Sequence, residues 1–253
     1  NPVYLHVGGG NCSRDQASGQ CTSNKKAWAL EELQKMGWRK AGGRDFDTTF
    51  DIGAPVLTRD YFRLGKDVQL ATEHTMVGNL ISAWREADKR GLLADAKAGK
   101  PWADKMQNWK FVDDASLDKR GTTKTISFGF WKGWPEFDVT WEYDKENNSY
   151  KRSNGGKPQI DLENNQQITA KNIVVQFAKQ EGPIDDHKHI LYQVIGTGKA
   201  IVYQNGQVID ATWKKSTQTS RTIFSNKQGK EIEFVRGQTW IEILPLANEV
   251  VVQ

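Results

Sequence analysis

From Thr123 to the end of the chain, apolar and polar residues alternate in short runs broken by turn residues: TISFGF, FDVTWEY, SYKRS, KNIVVQF, ILYQVIG, KAIVYQ, QVIDATW, RTIFS, EIEFV and TWIEILP. Runs of this length, rich in Val, Ile, Thr and aromatics, predict β-strands. Asn205-Gly206 between two of them predicts a two-residue type I′ hairpin, and SNKQGKE a longer turn. The stretch VTWEYDKENNSYKRSNGGKP reads as two strands joined by DKENN, followed by a second turn whose glycines supply positive φ.

Upstream the period changes. VYLHV predicts a short strand, and in NKKAWALEELQKMG the residues Trp28, Leu30, Leu33 and Met36 fall near helical spacing, with Ser23 or Asn24 as cap and Gly37 as stop. In TMVGNLISAWREADKRG, Met76, Val77, Leu80, Ile81, Trp84 and Ala87 predict one apolar stripe, ended by Gly91. Between these helices DFDTTFDIGAPVLTRDYFRLG reads as loop, and residues 92–110 are polar with a break at Lys100-Pro101-Trp102. The class expected is α+β: an α/β domain over 1–122, then a mostly antiparallel β domain over 123–253.

The length of 253 residues suits two domains with real cores. A net charge of +4 comes from both signs interspersed along the chain, unlike the clustered basic footprint of nucleic-acid binders. No apolar run is long enough to span a membrane. The start at NPVYLHVGGG carries no basic-then-apolar leader and reads as a mature or trimmed end. Cys12 and Cys21 are the only cysteines and enclose a Ser/Gly-rich loop, which predicts a disulfide and an oxidising, extracytoplasmic address. Ten tryptophans suit cores, sheet surfaces and ligand-binding faces equally.

The strong catalytic signatures G-x-S-x-G, HExxH, P-loop and C-x-x-C are missing from the sequence, and no cofactor is expected. Gly8, Gly9 and Gly10 are anion-binding candidates, because a glycine run lets backbone amides approach an anion. His6, Arg63 and His74 are the candidate polar cluster: two histidines and an arginine converging on a phosphate or carboxylate, with His as proton carrier. The plainer alternative, which the sequence favours, makes His6 a satisfied core side chain and His74 a helix cap. His187 and His189 fall in a charged turn and read as solvated. Asp144, Glu146 and Asn148 imitate the start of a calcium loop, but Ser149 and Gly155 stand where Gly and Glu are needed, so no metal site is expected.

TWEYDKENNSYKRSNGGKP, ITAKNIVVQF, GTGKAIVYQNGQVIDATW and GQTWIEILP together resemble the C-terminal domain of the YerB-like lipoproteins, a bacterial envelope family. VYLHVGGG and YFRLGKDVQLATEHTMVGNL resemble parts of that family's N-terminal domain more loosely. The resemblance implies a cell-surface or secreted protein, peripheral to the membrane if a lipid anchor precedes this chain, and an α/β domain missing its first segment. It leaves two functional classes open. One is a non-catalytic binding or scaffold protein for a cell-wall polymer or envelope protein. The other is an envelope transferase or hydrolase acting on wall or polyprenyl-linked substrates, which a strand–Gly–Gly–helix likeness to the LytR-CpsA-Psr enzymes keeps in view by analogy.

Overall fold

The computed structural model describes residues 3–94, 108–161 and 164–253. The Lys100-Pro101-Trp102 break lies outside the described residues. The chain divides into two compact units: Asn1–Met106 with Gly182–His189, and Gln107–Glu181 with Ile190–Gln253. Residues 107–122 therefore go with the β-rich unit and not with the first. The physical reason is Trp109, whose ring packs edge-on against Phe234 at 5.2 Å and whose indole N–H donates to the Thr222 carbonyl at 2.8 Å.

The first unit is built on a short βαβ element. Strand β1 (Tyr4–His6) lies parallel to β2 (Asp45–Asp47), and α1 (Ala29–Lys35) connects them. A 3₁₀ turn at Lys25–Ala27 precedes α1, and the Asn24 side chain caps it by accepting from the Lys26 amide. Gly37 ends α1 at φ +72°: its own amide reaches the Gln34 carbonyl and the Trp38 amide reaches the Leu33 carbonyl, the paired closure that a left-handed glycine permits. Strands β3 (Leu57–Arg59) and β4 (Met76–Gly78) form an antiparallel pair, followed by α2 (Leu80–Lys89).

The stripe expected on α2 is not the one buried. Met76 and Val77 belong to β4, the helix begins after its Asn79 cap, and the core-facing side chains are Ala83 and Ala87. Leu80, Ile81 and Trp84 face outward, 76%, 67% and 65% exposed. Periodicity identified the helix but assigned its large residues to the wrong face, because the small alanines let α2 lie close on Phe46, Val56 and Leu57.

The strands of the second unit are β5 (Phe111–Val112), β6 (Thr125–Phe128), β7 (Val139–Asp144), β8 (Ser149–Asn154), β9 (Lys157–Pro158), β10 (Ile160–Asp161), β11 (Gln166–Gln167), β12 (Thr169–Ala170), β13 (Asn172–Ala178), β14 (Gln180–Glu181), β15 (Leu191–Tyr192), β16 (Gly196–Gln204), β17 (Gln207–Lys215), β18 (Ile223–Asn226), β19 (Phe234–Val235), β20 (Thr239–Pro245) and β21 (Val251–Val252). One sheet runs β12-β8-β7-β6-β21 with β9 on β8, and the other runs β18-β17-β16-β13-β20. All pairings in these two sheets are antiparallel except β13 with β20.

Trp141 and Tyr150 of the first sheet pack with Ile173, Val175, Tyr203 and Leu244 of the second in one core. Every residue of β13 is buried, since Val174 on its other face joins a second core with Trp213, Phe224 and Phe234. That is the pattern of a strand covered on both sides. Asn205 and Gly206, both at positive φ (+52° and +64°), close the β16–β17 hairpin as their sequence predicts. Among the described residues no helix is long and apolar enough to cross a membrane.

Candidate functional site

Side chains two apart on a strand share a face, so the β1–β2 pair sorts its residues by chemistry. Leu5 and Phe46 turn into the core, while Tyr4, His6, Asp45 and Asp47 lie on the opposite face. Asp45 and Asp47 are nonetheless fully buried, beneath the Arg39 side chain. The glycine closure of α1 delivers Arg39 to this spot, where one guanidinium nitrogen bridges Asp45 at 2.6 Å and Asp47 at 2.9 Å. The Gly8 and Thr49 amides donate to Asp47 at 3.1 Å each, and the Thr49 hydroxyl adds a third bond.

His6 meets the Gly8 carbonyl through Nδ1 at 2.7 Å and the Asp45 carboxylate through Nε2. Both ring nitrogens face acceptors, so neither presents a lone pair to a substrate. Of the three residues grouped by sequence, only His6 belongs to this cluster. Arg63 and His74 are exposed, His74 in the 3₁₀ turn Thr72–Thr75, and among the described residues no bond or ring contact joins either to His6. The cap of α2 is Asn79 and not His74. Asp45, Asp47 and Arg39 were not singled out from sequence, because DFDTTFDIG shows no regular period.

The glycine run has a steric explanation. A Cβ on Gly10 would sit 2.2 Å from the Ala27 carbonyl, and the Gly10 carbonyl accepts from the Leu30 amide. The Gly8 amide serves the chain's own Asp47 and not an external anion. Cys12 and Cys21 are paired, with Cα atoms 5.1 Å apart. Just beyond the paired loop, the Thr22 hydroxyl meets His187 at 2.9 Å, and Asp185 accepts from the Asn24 amide and contacts His189, each at 2.8 Å. His187 and His189 are thus bonded to the first unit and are not merely solvated. Asp144, at the calcium-like turn, is occupied by Asn147 and Lys151.

An open groove of about 440 Å³ lies in the second unit at the loop that joins β6 to β7, lined by Trp131, Lys132, Trp134, Asp138, Asn248 and Glu249 among others. Its loop, FWKGWPEF, is held in place before any ligand arrives. Gly133 turns at φ +87°, and Pro135 starts a 3₁₀ turn at Pro135–Phe137. The Asn248 side chain donates to the Gly129 and Phe130 carbonyls at 2.7 and 3.0 Å. At the other end Asn154 donates to the Glu136 carbonyl at 2.7 Å, and the Gly155 amide to the Asp138 carbonyl at 2.8 Å. Thus the SNGGKP turn braces the aromatic loop from below, and a Cβ on Gly155 would press on the Glu136 carbonyl at 2.9 Å. Trp131 packs edge-on against Phe137 at 5.2 Å, while Trp134 is 56% exposed.

Residues 130–241 match the family described as "Protein of unknown function (DUF3048) C-terminal domain". A curated relative, "Putative lipoprotein YerB" of Bacillus subtilis (strain 168), is 34% identical over 107 residues, which is 42% of this chain and 31% of the relative. Over this C-terminal stretch the chain is similar to the YerB-like proteins. The crystal structure of YerB from Bacillus subtilis shares the fold, with a TM-score of 0.61 at 20% identity over 89% of this chain and 68% of that one. The sequence match spans about a third of the curated YerB-like relative's length. The matched family segment begins at Phe130, so it takes in the aromatic loop and the NGG turn that braces it.

Proposed function

We propose that this is an extracytoplasmic envelope protein that binds a cell-wall polymer or an envelope protein without turning it over, and that the groove at Trp131 and Trp134 is where it does so. The observation that carries this reading is the exposure of two indoles on a loop already fixed by Asn154 and Asn248. Large apolar surface normally goes inside, and rigid exposed tryptophans lose little conformational freedom when a partner covers them. The polar groups of the first unit support the same reading from the other side, since His6, Asp45, Asp47 and Arg39 are committed to one another. The lipoprotein name of the curated relative and the paired cysteines favour an extracytoplasmic location.

The test is cosedimentation with purified envelope fractions. The parent protein should be retained and release no soluble fragments, and Trp134→Ala, which removes an exposed side chain, should lower retention at least ~10-fold. Equal retention of the two proteins overturns the proposal.

The second reading is an enzyme, and the contact of His6 with Asp45 is what favours it. If the parent converts wall or polyprenyl-linked material and a folded variant with His6, Arg63 and His74 all changed to alanine does not, the enzyme reading replaces ours.

A further inference from the structure

The groove joins two kinds of surface that seldom share one small opening. Its lining includes the exposed residues Trp131 and Trp134 together with the acids Asp138 and Glu249. Both acids are exposed, and among the described residues neither carboxylate has an ion-pair partner. Only one ammonium, that of Lys132, is among the lining groups. The site therefore offers flat aromatic faces together with an excess of negative charge.

Each component selects a ligand property. An exposed indole face covers a flat apolar patch, such as the C–H face of a pyranose ring, and attracts a cation placed over it. A carboxylate with no protein cation accepts hydrogen bonds from hydroxyls and pairs with an ammonium. The Asn248 amide is already spent on the Gly129 and Phe130 carbonyls, which leaves the acids as the dominant polar groups. An N-acetylated or anionic sugar would satisfy the indoles but leave Asp138 and Glu249 without a countercharge. A simple cationic peptide would satisfy the acids but bring no flat face to the indoles.

We propose that the groove recognises a saccharide bearing free amino groups, such as a de-N-acetylated stretch of wall glycan, with Trp134 and Trp131 stacking on the sugar and Asp138 and Glu249 pairing with its ammonium. This rests on the binding reading above and specifies its ligand class. Charge complementarity sets the preference for the amine, and the indoles set the preference for a sugar over a peptide.

The experiment uses the full chain and three probes: a β-1,4-linked glucosamine hexasaccharide, its fully N-acetylated counterpart, and hexalysine. Binding is followed by calorimetry and by tryptophan fluorescence. The amine-bearing hexasaccharide should bind saturably and at least ~10-fold more tightly than either other probe, and Trp134→Ala should weaken it by at least ~10-fold. A double variant, Asp138→Asn with Glu249→Gln, should keep its fold and lose the preference for the free amine over the acetylated sugar.

Absence of saturable hexasaccharide binding, equal binding of the acetylated sugar, or equal binding of hexalysine overturns the inference. If Trp134→Ala still loses retention on envelope fractions in any of those cases, the binding reading stands and only the ligand class is wrong. If that variant is retained like the parent, both fall.

Discussion

Burial by itself would push the Asp47 carboxyl up, but the Thr49 hydroxyl and amide, the Gly8 amide and Arg39 together hold it down at about 2. An unfolded Asp titrates near ~3.9, so the folded state binds fewer protons between the two values. The stabilisation is complete above the unfolded value and is lost as pH falls toward the folded one. The parent should thus lose about 2–3 kcal/mol more than Asp47→Asn between about pH 5 and pH 2. Thermal melts across that range check this, and superimposable pH profiles would show that the network contributes nothing. At this scale the sequence was half legible. His6 stood out because histidine is rare here, whereas Asp45 and Asp47 were lost in an acidic, aperiodic stretch whose meaning comes only from β1 lying beside it. Arg63 and His74 show the converse: residue type alone grouped them with His6 as one alternative, and the structure shows no bond that joins either to it among the described residues.

Between elements, the decisive polar contact is the pair Arg152 on β8 and Glu242 on β20, which links the two sheets of the second unit with a nitrogen–oxygen distance of 3.5 Å. Burial raises the Glu242 carboxyl, opposed by Arg152 and by the Trp141 indole, which donates to it at 3.2 Å. The guanidinium lies over Trp240 at 4.9 Å and Trp141 at 5.7 Å, so aromatic faces take up part of the charge. Changing either Arg152 or Glu242 to alanine should cost about 3–5 kcal/mol, because the partner is left buried and unpaired. The Arg152→Ala, Glu242→Ala double variant should cost much less than the sum of the two single changes. A denaturant double-mutant cycle measures both, and strictly additive losses would show that the two charges do not interact. Alternation found the strands and Asn205-Gly206 found their hairpin, because those signals are local. Which side of α2 is covered is not local, and there the largest residues misled. The groove loop escaped notice for a related reason: FWKGWPEF follows neither a two-residue nor a 3.6-residue period, and its order comes from Asn154 and Asn248 far along the chain.

For the whole molecule, the change of grammar in the sequence falls at Thr123, whereas the second compact unit takes in residues from Gln107. Residues 107–253 expressed alone should melt cooperatively with β-type circular dichroism. A fragment starting at 123 loses the parallel β5–β19 pairing and the packing of Trp109 on Phe224 and Phe234. Loss of that partly buried indole alone is worth on the order of 2 kcal/mol. The shorter fragment should therefore melt well below the longer one or bind ANS, and equal melting curves would mean that 107–122 contributes nothing to this core.

The return of Gly182–His189 to the first unit also has a consequence for the order in which a growing chain can fold. Asp185, the partner of the Asn24 amide, leaves the ribosome long after Asn24 does, so the cysteine loop waits for more than half of the chain before its neighbours are complete. The second unit waits longer still, because β20 lies beside the central β13 and β21 closes the edge at β6. The first unit cannot finish before His189 has emerged, nor the second before Val252, and a chain crossing a membrane as it is made would do so for most of its length without either finished core to hinder its passage.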